Sequence, residues 1–373
     1  MADISAPSPA NNTLAANGAL DQEDELCLQA QELMLAYNKS LVLRAAIQLG
    51  LIDALCAAPA AVTADELARQ IKAVDRADTA ASVERILGYL ACVNVVRCSA
   101  ETTGPNGEVL RRYMPAPVCR WLTKNDGKGS LGTFAVFLGD PDHILPWHHI
   151  ADAVVAGGPS SFERIQGTPF FDYLGKKNQR LGMLFDDAMA DHSVILVTKM
   201  LERYRGFDDV RRLVDVGGGT GNTLKMITSR YKHITGVNYD LPQVLSQAPS
   251  IPCVEHVAGN MYESVPSGDA VLLQWMLLMQ TDEQCITILK NCHKALPDGG
   301  KVIIIDGIRP EIPDPSSPAA RDAFSLDMCM FVLFKGKERT EREFTKLARE
   351  SGFTGAVRTT YIFLNFYAIE FTK

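Results

Sequence analysis

The run Leu213-Val214-Asp215-Val216-Gly217-Gly218-Gly219-Thr220-Gly221-Asn222 decides the fold. An apolar stretch stops at a carboxylate and becomes a glycine-dense turn. A helix-compatible segment follows, Thr223 to Arg230, and a second apolar run, Ile234 to Tyr239, ends at Asp240, 19 residues after Gly221. This is the layout of a nucleoside-binding strand, turn, helix and strand. Glycine lets the backbone turn tightly and lets a ligand approach with no Cβ in the way. The spacing Gly217-x-Gly219-x-Gly221, directly after Asp215, is tighter than the G-x-G-x-x-G of a dinucleotide site. It fits an adenosyl sulfonium cofactor better, because no pyrophosphate needs a cradle and an amino-acid tail must meet the loop backbone. Asp240 is then placed to hold ribose hydroxyls. The plain alternative is that the glycines serve packing only.

Outward from this unit, short apolar runs recur at Val254–Ala258, Ala270–Trp275 and Lys301–Asp306, alternating with helical segments. The alternation predicts an α/β domain with a doubly wound, mostly parallel sheet. Two late runs, Tyr361–Phe366 and Ala368–Phe371, predict an antiparallel hairpin at its edge. Upstream, residues 1–24 read as a disordered tail rich in Ala, Ser, Pro and Asn, without the basic and apolar regions of a secretory signal. Residues 25–125 read as a helical, winged-helix-like unit: a long apolar-periodic helix over Glu25–Leu55, a capping box at Thr63-Ala64-Asp65-Glu66, a helix over Val83–Val96, and a hairpin around Pro105-Asn106-Gly107. Its candidate recognition segment, Asp78 to Leu90, is not basic, so it reads as structural or dimerising. Residues 126–373 form the larger domain, and the aromatic-rich helices at 126–205 could wall a pocket at the junction.

The charge of −7 and pI near 5.6 argue against a nucleic-acid partner. No apolar stretch reaches the roughly 20 residues that span a bilayer. The 9 cysteines form no C-x-x-C pair, which suits reduced thiols in the cytosol and gives a metal site no support.

Several motifs together resemble the plant caffeic-acid-type small-molecule O-methyltransferases, over residues 26 to 373. They are Asp215-Val-Gly-Gly-Gly-Thr-Gly, Asp240-Leu-Pro-Gln-Val, Pro252-Cys-Val-Glu-His-Val-Ala-Gly, Lys290-Asn-Cys-His-Lys-Ala-Leu-Pro-Asp-Gly-Gly-Lys-Val and Gly336-Lys-Glu-Arg-Thr. The resemblance implies S-adenosyl-L-methionine as cofactor, S-adenosyl-L-homocysteine as product, no metal, a homodimer built by the N-terminal unit, and a cytoplasmic location. It implies cofactor contacts from Asp215, Gly217, Gly219, Gly221, Asp240, Leu241, Asn260, Met261, Gln274 and Trp275. It implies an acceptor pocket lined by Phe185, Met189, His192 and Asn365, to which Tyr37, His143 and Tyr361 are added as candidates.

The departures carry the functional reading. After the fourth strand the family reads Lys-Trp-x-x-His-Asp-Trp-Ser-Asp-Glu, whereas this chain reads Gln274-Trp275-Met276-Leu277-Leu278-Met279-Gln280-Thr281-Asp282-Glu283. The family's base histidine is Leu278, its neighbouring acid Met279, and a lysine at the adenine end Gln274. Of the acids flanking the base, one is shortened to Asp306 and one matches Glu370. A phenol, with pKa near 10, needs its proton taken, and general-base help is typically worth about 10²–10⁴-fold. Leucine and methionine supply none. An amine has its own lone pair and needs placement and loss of a proton. The expectation is therefore an N-methyltransferase acting on a small aromatic amine. Together with Tyr361-Ile-Phe-Leu-Asn-Phe-Tyr367, the pattern resembles the grass enzymes that methylate indole alkylamines, with Glu370 and Asp306 meeting the ammonium. The alternatives are methylation of nicotinate, phenol methylation with another base such as His192, and a catalytically silent cofactor-binding relative.

Overall fold

The computed structural model describes residues 21–72, 75–103, 107–123, 127–246 and 248–373. The expected single N-terminal helix is three: Gln22–Met34, Ala36–Gln48 and Leu51–Ala57. The chain breaks at Leu35, and again at Gly50, whose φ of 71° a side chain would resist. The first helix starts before the expected tail boundary at 24. Asp21 caps it by accepting the Asp24 N–H at 2.8 Å. No residue of that helix is buried, and Leu33, Met34, Leu35 and Tyr37 are at least half exposed.

The capping box at Thr63 is present, with Glu66 accepting the Thr63 N–H at 2.7 Å. A helix over Arg76–Cys92 leads into an antiparallel hairpin, β1 (Val96–Thr103) with β2 (Glu108–Pro115). Residues 105 and 106 of the expected turn lie outside the described residues. The core here gathers Leu51, Leu55, Leu67, Leu87 and Tyr113.

The large domain is a seven-stranded sheet: β3 (Arg212–Val216), β4 (Thr235–Asp240), β5 (Val254–Ala258), β6 (Ala270–Gln274), β7 (Lys301–Gly307), β8 (Val357–Phe363) and β9 (Phe366–Thr372). Its order is β5-β4-β3-β6-β7-β9-β8. β3 to β7 pair in parallel, while β9 runs antiparallel to β7 and β8. The final hairpin is thus not wholly at the edge. β9 lies inside the sheet and β8 forms the rim. Alternation along β7 feeds both faces, Ile304 into one core and Ile303 and Ile305 into the other. Strand order reverses between β3 and β6, and in sheets of this kind ligands bind outside the carboxyl ends of the strands at such a reversal. The 25-residue helix Gln179–Arg203 crosses this region and carries the aromatic wall.

Candidate functional site

The cofactor half is built on the carboxyl ends of β3 to β6. Gly217, Gly219 and Gly221 all take left-handed backbone, with φ of 73°, 59° and 84°. A side chain on Gly217 would collide with Met276, but a Cβ on Gly219 would meet nothing within 4 Å. Space is thus left open above the middle of the loop. Asp240 faces this space. Its two oxygens accept the backbone N–H of Gly219 at 2.9 Å and of Leu241 at 2.7 Å. Burial raises its carboxyl, and these two donors pull it back. Asp215 is 1% exposed and is pushed up to about 7, by burial first and then by Asp240. Leu241 is exposed beside them, an apolar surface at the rim. Asn260 braces its own turn, accepting the Tyr262 N–H at 3.1 Å and donating to Glu263 at 3.1 Å. The Met261 carbonyl is held by Asn291 at 3.0 Å. Open space over a glycine, two carboxylates and an apolar rim fit an adenosyl group with an amino-acid tail.

Of two further residues expected here, one braces the loop's helix and the other turns away. Gln274 donates to Ser193 at 3.1 Å and accepts from Thr223 at 3.2 Å. It ties the helix after the glycine loop to the Gln179–Arg203 helix from the carboxyl end of β6. Trp275, at φ 55°, turns its ring into the acceptor half, 4.9 Å from His192 and 6.0 Å from Phe366 between centroids.

The acceptor half is aromatic on one side. Phe185, Met189 and His192 follow the i, i+4, i+7 spacing of one helix face. Phe185 stacks edge-on to Phe137, Phe170 and Phe171. His192 lies among the rings of Phe134, Trp275 and Phe366. Burial among these rings pushes its pKa down to about 4. It is neutral at pH 7 and weakly basic, a poor acceptor for a phenol proton. His143 is one layer back, buried against Phe137, its Nδ1 2.9 Å from the Leu138 carbonyl, and it does not join His192.

The other side is acidic. Asp306 lies near the end of β7, 1% exposed, with the backbone N–H groups of Trp275 and Leu278 beside its carboxyl. Burial, then the neighbouring Glu338, pushes it well above the carboxylate range. Glu338 is 2% exposed, has an unbonded Oε2, and is pushed up to about 7 by burial, then by Asp327 and Asp322. Asn365, in the β8–β9 turn, has both amide atoms buried and unbonded. It meets Glu338 over Gly307. A Cβ there would lie 2.6 Å from Glu338 Oε2 and 3.1 Å from Asn365 Nδ2. Leu278 sits in the turn Leu277–Met279, packed by its carbonyl against Gly336. That turn is tethered by Arg339, 1% exposed, which donates to the carbonyls of Leu277 at 2.6 Å and Gln280 at 2.9 Å.

Three expected pocket residues are elsewhere. Glu370 points into the opposite end of the sheet. It accepts a hydrogen bond from the Tyr204 hydroxyl and lies 3.8 Å from Lys301 Nζ. Its register partner on β7 is Ile303, three positions before Asp306. It is a scaffold carboxylate. Tyr361 is on the rim strand, half exposed, against Tyr367 and the Arg203 guanidinium. Tyr37 is exposed on the N-terminal helices. The residue that sequence reading missed is Glu338. The signal was inside Gly336-Lys337-Glu338-Arg339-Thr340, whose charged run looks solvated, although Glu338, Arg339 and Thr340 are all buried.

The sequence pattern of the O-methyltransferase domain matches residues 147–354, and that of the O-methyltransferase dimerisation domain matches residues 31–125. The chain is 63% identical to a 3-aminomethylindole N-methyltransferase of Hordeum vulgare, over 100% of both chains. It is 55% identical, again over 100% of both, to a probable inactive methyltransferase of Oryza sativa. Human N-acetylserotonin methyltransferase in complex with S-adenosylmethionine shares the fold, with a TM-score of 0.79 over 95% of this chain and 99% of that one, at 21% identity.

Proposed function

Because the chain belongs to the O-methyltransferase family of S-adenosylmethionine-dependent enzymes, we propose that it is an N-methyltransferase acting on an aromatic alkylamine, with an indole as the ring. One observation carries the reading. Two carboxyls, Asp306 and Glu338, are buried side by side next to an apolar Leu278, and burial keeps both raised despite the pull of the nearby Arg339 guanidinium. Two close carboxylates do not both ionise in a dry site. A substrate ammonium removes that conflict, and a phenol does not.

The bound cofactor supplies an electrophilic methyl on a sulfonium. The chain's own residues do the rest. The rings of Phe134, Phe185 and Trp275 give the indole an apolar wall. Asp306 and Glu338 draw the ammonium, and one of them takes its proton. An alkylammonium has a pKa near that of lysine, about 10.4, against a usual carboxyl of about 4.3, so the transfer would cost about 8 kcal/mol. Burial and its neighbouring acids raise Glu338 and so reduce that cost, while the bound ammonium works against the rise. Burial of the ammonium lowers the cost further. The amine nitrogen, its lone pair freed, faces the methyl, and Leu278 leaves that face clear of a competing base. The exposed apolar helices before residue 57 support a homodimer, and 9 unpaired cysteines suit a reducing compartment.

The rice relative gives one rival reading weight, a silent cofactor-binding chain. A turnover assay with aminomethylindole, a phenol such as caffeate, and nicotinate separates them. Methylation of the amine alone is expected. Turnover of only the phenol or nicotinate overturns the amine assignment, and cofactor binding without turnover of any supports the silent reading.

A further inference from the structure

We propose that Asn238, in the middle of β4, is the positioning residue that sets the glycine loop for the amino-acid end of the cofactor, with His256 fixing which way its amide points. The proposal extends to a residue outside the expected cofactor contacts. It rests on the S-adenosylmethionine reading above.

Asn238 is fully buried in a strand that otherwise reads Thr-Gly-Val-x-Tyr-Asp. A buried polar side chain has to be bonded or it is costly. Its Nδ2 lies 2.9 Å from the Gly219 carbonyl and 3.1 Å from His256 Nδ1. The hydrogen assignment follows from the far side of the imidazole. His256 Nε2 is 2.9 Å from the Pro249 carbonyl, which only accepts, so Nε2 carries the hydrogen. In the neutral ring Nδ1 is then bare and must accept. The Asn238 atom beside it is therefore the amide nitrogen, with one N–H for His256 and one for Gly219.

This leaves the Asn238 oxygen facing Asp215. A Cβ on Gly218 would collide with Asn238 Oδ1 and lie 2.7 Å from Asp215 Oδ2, so the two oxygens flank one point beneath the loop. Neither has a hydrogen-bond partner. Two bare oxygens repel unless one carries a hydrogen. Asp215, pushed up to about 7, supplies it near neutral pH. Gly219 is consequently held from both sides, its carbonyl by Asn238 and its N–H by Asp240 at 2.9 Å. Gly219 is the residue with open space where its side chain would be. A loop fixed at this residue before binding has less freedom to lose on binding.

The test is calorimetry with two probes. S-adenosylhomocysteine carries the amino-acid tail, and 5′-methylthioadenosine has the same adenosine without it. Asn238→Leu keeps approximate shape and removes both donors. It is expected to weaken S-adenosylhomocysteine by at least about tenfold, and methylthioadenosine by less than about threefold. His256→Phe keeps Asn238 and frees its amide to turn. It should weaken S-adenosylhomocysteine by about threefold and leave methylthioadenosine unchanged. Circular dichroism checks folding, and His256→Phe carries the test if Asn238→Leu does not fold. Equal losses for both probes, or unchanged S-adenosylhomocysteine affinity in every folded variant, overturn the proposal. Failure of the wild type to bind S-adenosylhomocysteine would instead overturn the cofactor reading.

Discussion

The two ends of the β7–β9 ladder hold carboxylates in opposite states, a part-buried Glu370 at one and fully buried Asp306 and Glu338 at the other. At the Lys301 end, Glu370 has a tyrosine hydroxyl and an ammonium beside it. At the Gly307 end, neither the Asp306 nor the Glu338 carboxyl is in an ion pair among the described residues, and the pull of Arg339 does not offset their burial. The contrast separates scaffold from site. A part-buried charge that the chain has already paired is part of the framework. One whose nearby guanidinium does not offset its burial is a candidate place for a charge from outside.

The largest expected effect breaks the Gly307 end. Glu338→Gln and Asp306→Asn keep shape and remove charge, and each should lower kcat/KM for the amine by at least about a hundredfold, within the 2–5 kcal/mol of a desolvated pair. S-adenosylhomocysteine affinity should stay within about twofold of wild type by calorimetry. Full amine turnover in both variants would move the ammonium elsewhere.

The next acts at the other end. Glu370→Gln should lower unfolding free energy by about 1–3 kcal/mol in a urea titration, as a charged hydrogen bond and an ion pair are lost. Its kcat/KM should stay within about threefold of wild type. A large catalytic loss with unchanged stability would return Glu370 to the reaction.

The smallest effect is on pH dependence. Glu338 is pushed up to about 7, above its unfolded value of about 4.3. Between these values the folded state binds more protons than the unfolded one, so this group makes stability fall as pH rises from about 5 to 7. His143 and His192, pushed down to about 4, act oppositely up to their unfolded value of about 6.5. The informative quantity is the difference between chains. Without ligand, Glu338→Gln should gain stability over wild type as pH is raised through that window. Parallel curves would mean that Glu338 has a partner in solution.

The cofactor half was legible because its signals are local. A glycine must sit where φ is positive and a ligand comes close, and Asp240 follows at a fixed distance along one strand–helix–strand unit. The acceptor half was legible only in part. Leu278 and Asp306 stand at strand ends, so order in the chain places them. Glu370 and Glu338 cannot be told apart that way. Which end of the sheet a residue reaches depends on β9 running antiparallel, and on register, which sequence does not display. Glu338 was hidden by its neighbours, since lysine and arginine beside it suggest a wet loop. Asn238 was hidden by the acid two residues on. Tyr361 was misplaced because aromatic residues in a hairpin fill walls and rims equally well.

Arg339 holds the Leu277–Gln280 turn by main-chain carbonyls. Those bonds are blind to side chains. Position 278 can therefore exchange an imidazole for an isobutyl group while the backbone around it stays where it was. The acid opposite is the adjacent residue of the same segment, so it stays in place too. Such an arrangement separates the inheritance of a scaffold from the inheritance of a reaction. Side-chain substitutions at the turn can then alter what meets the acceptor while the main-chain bonds that hold the turn persist.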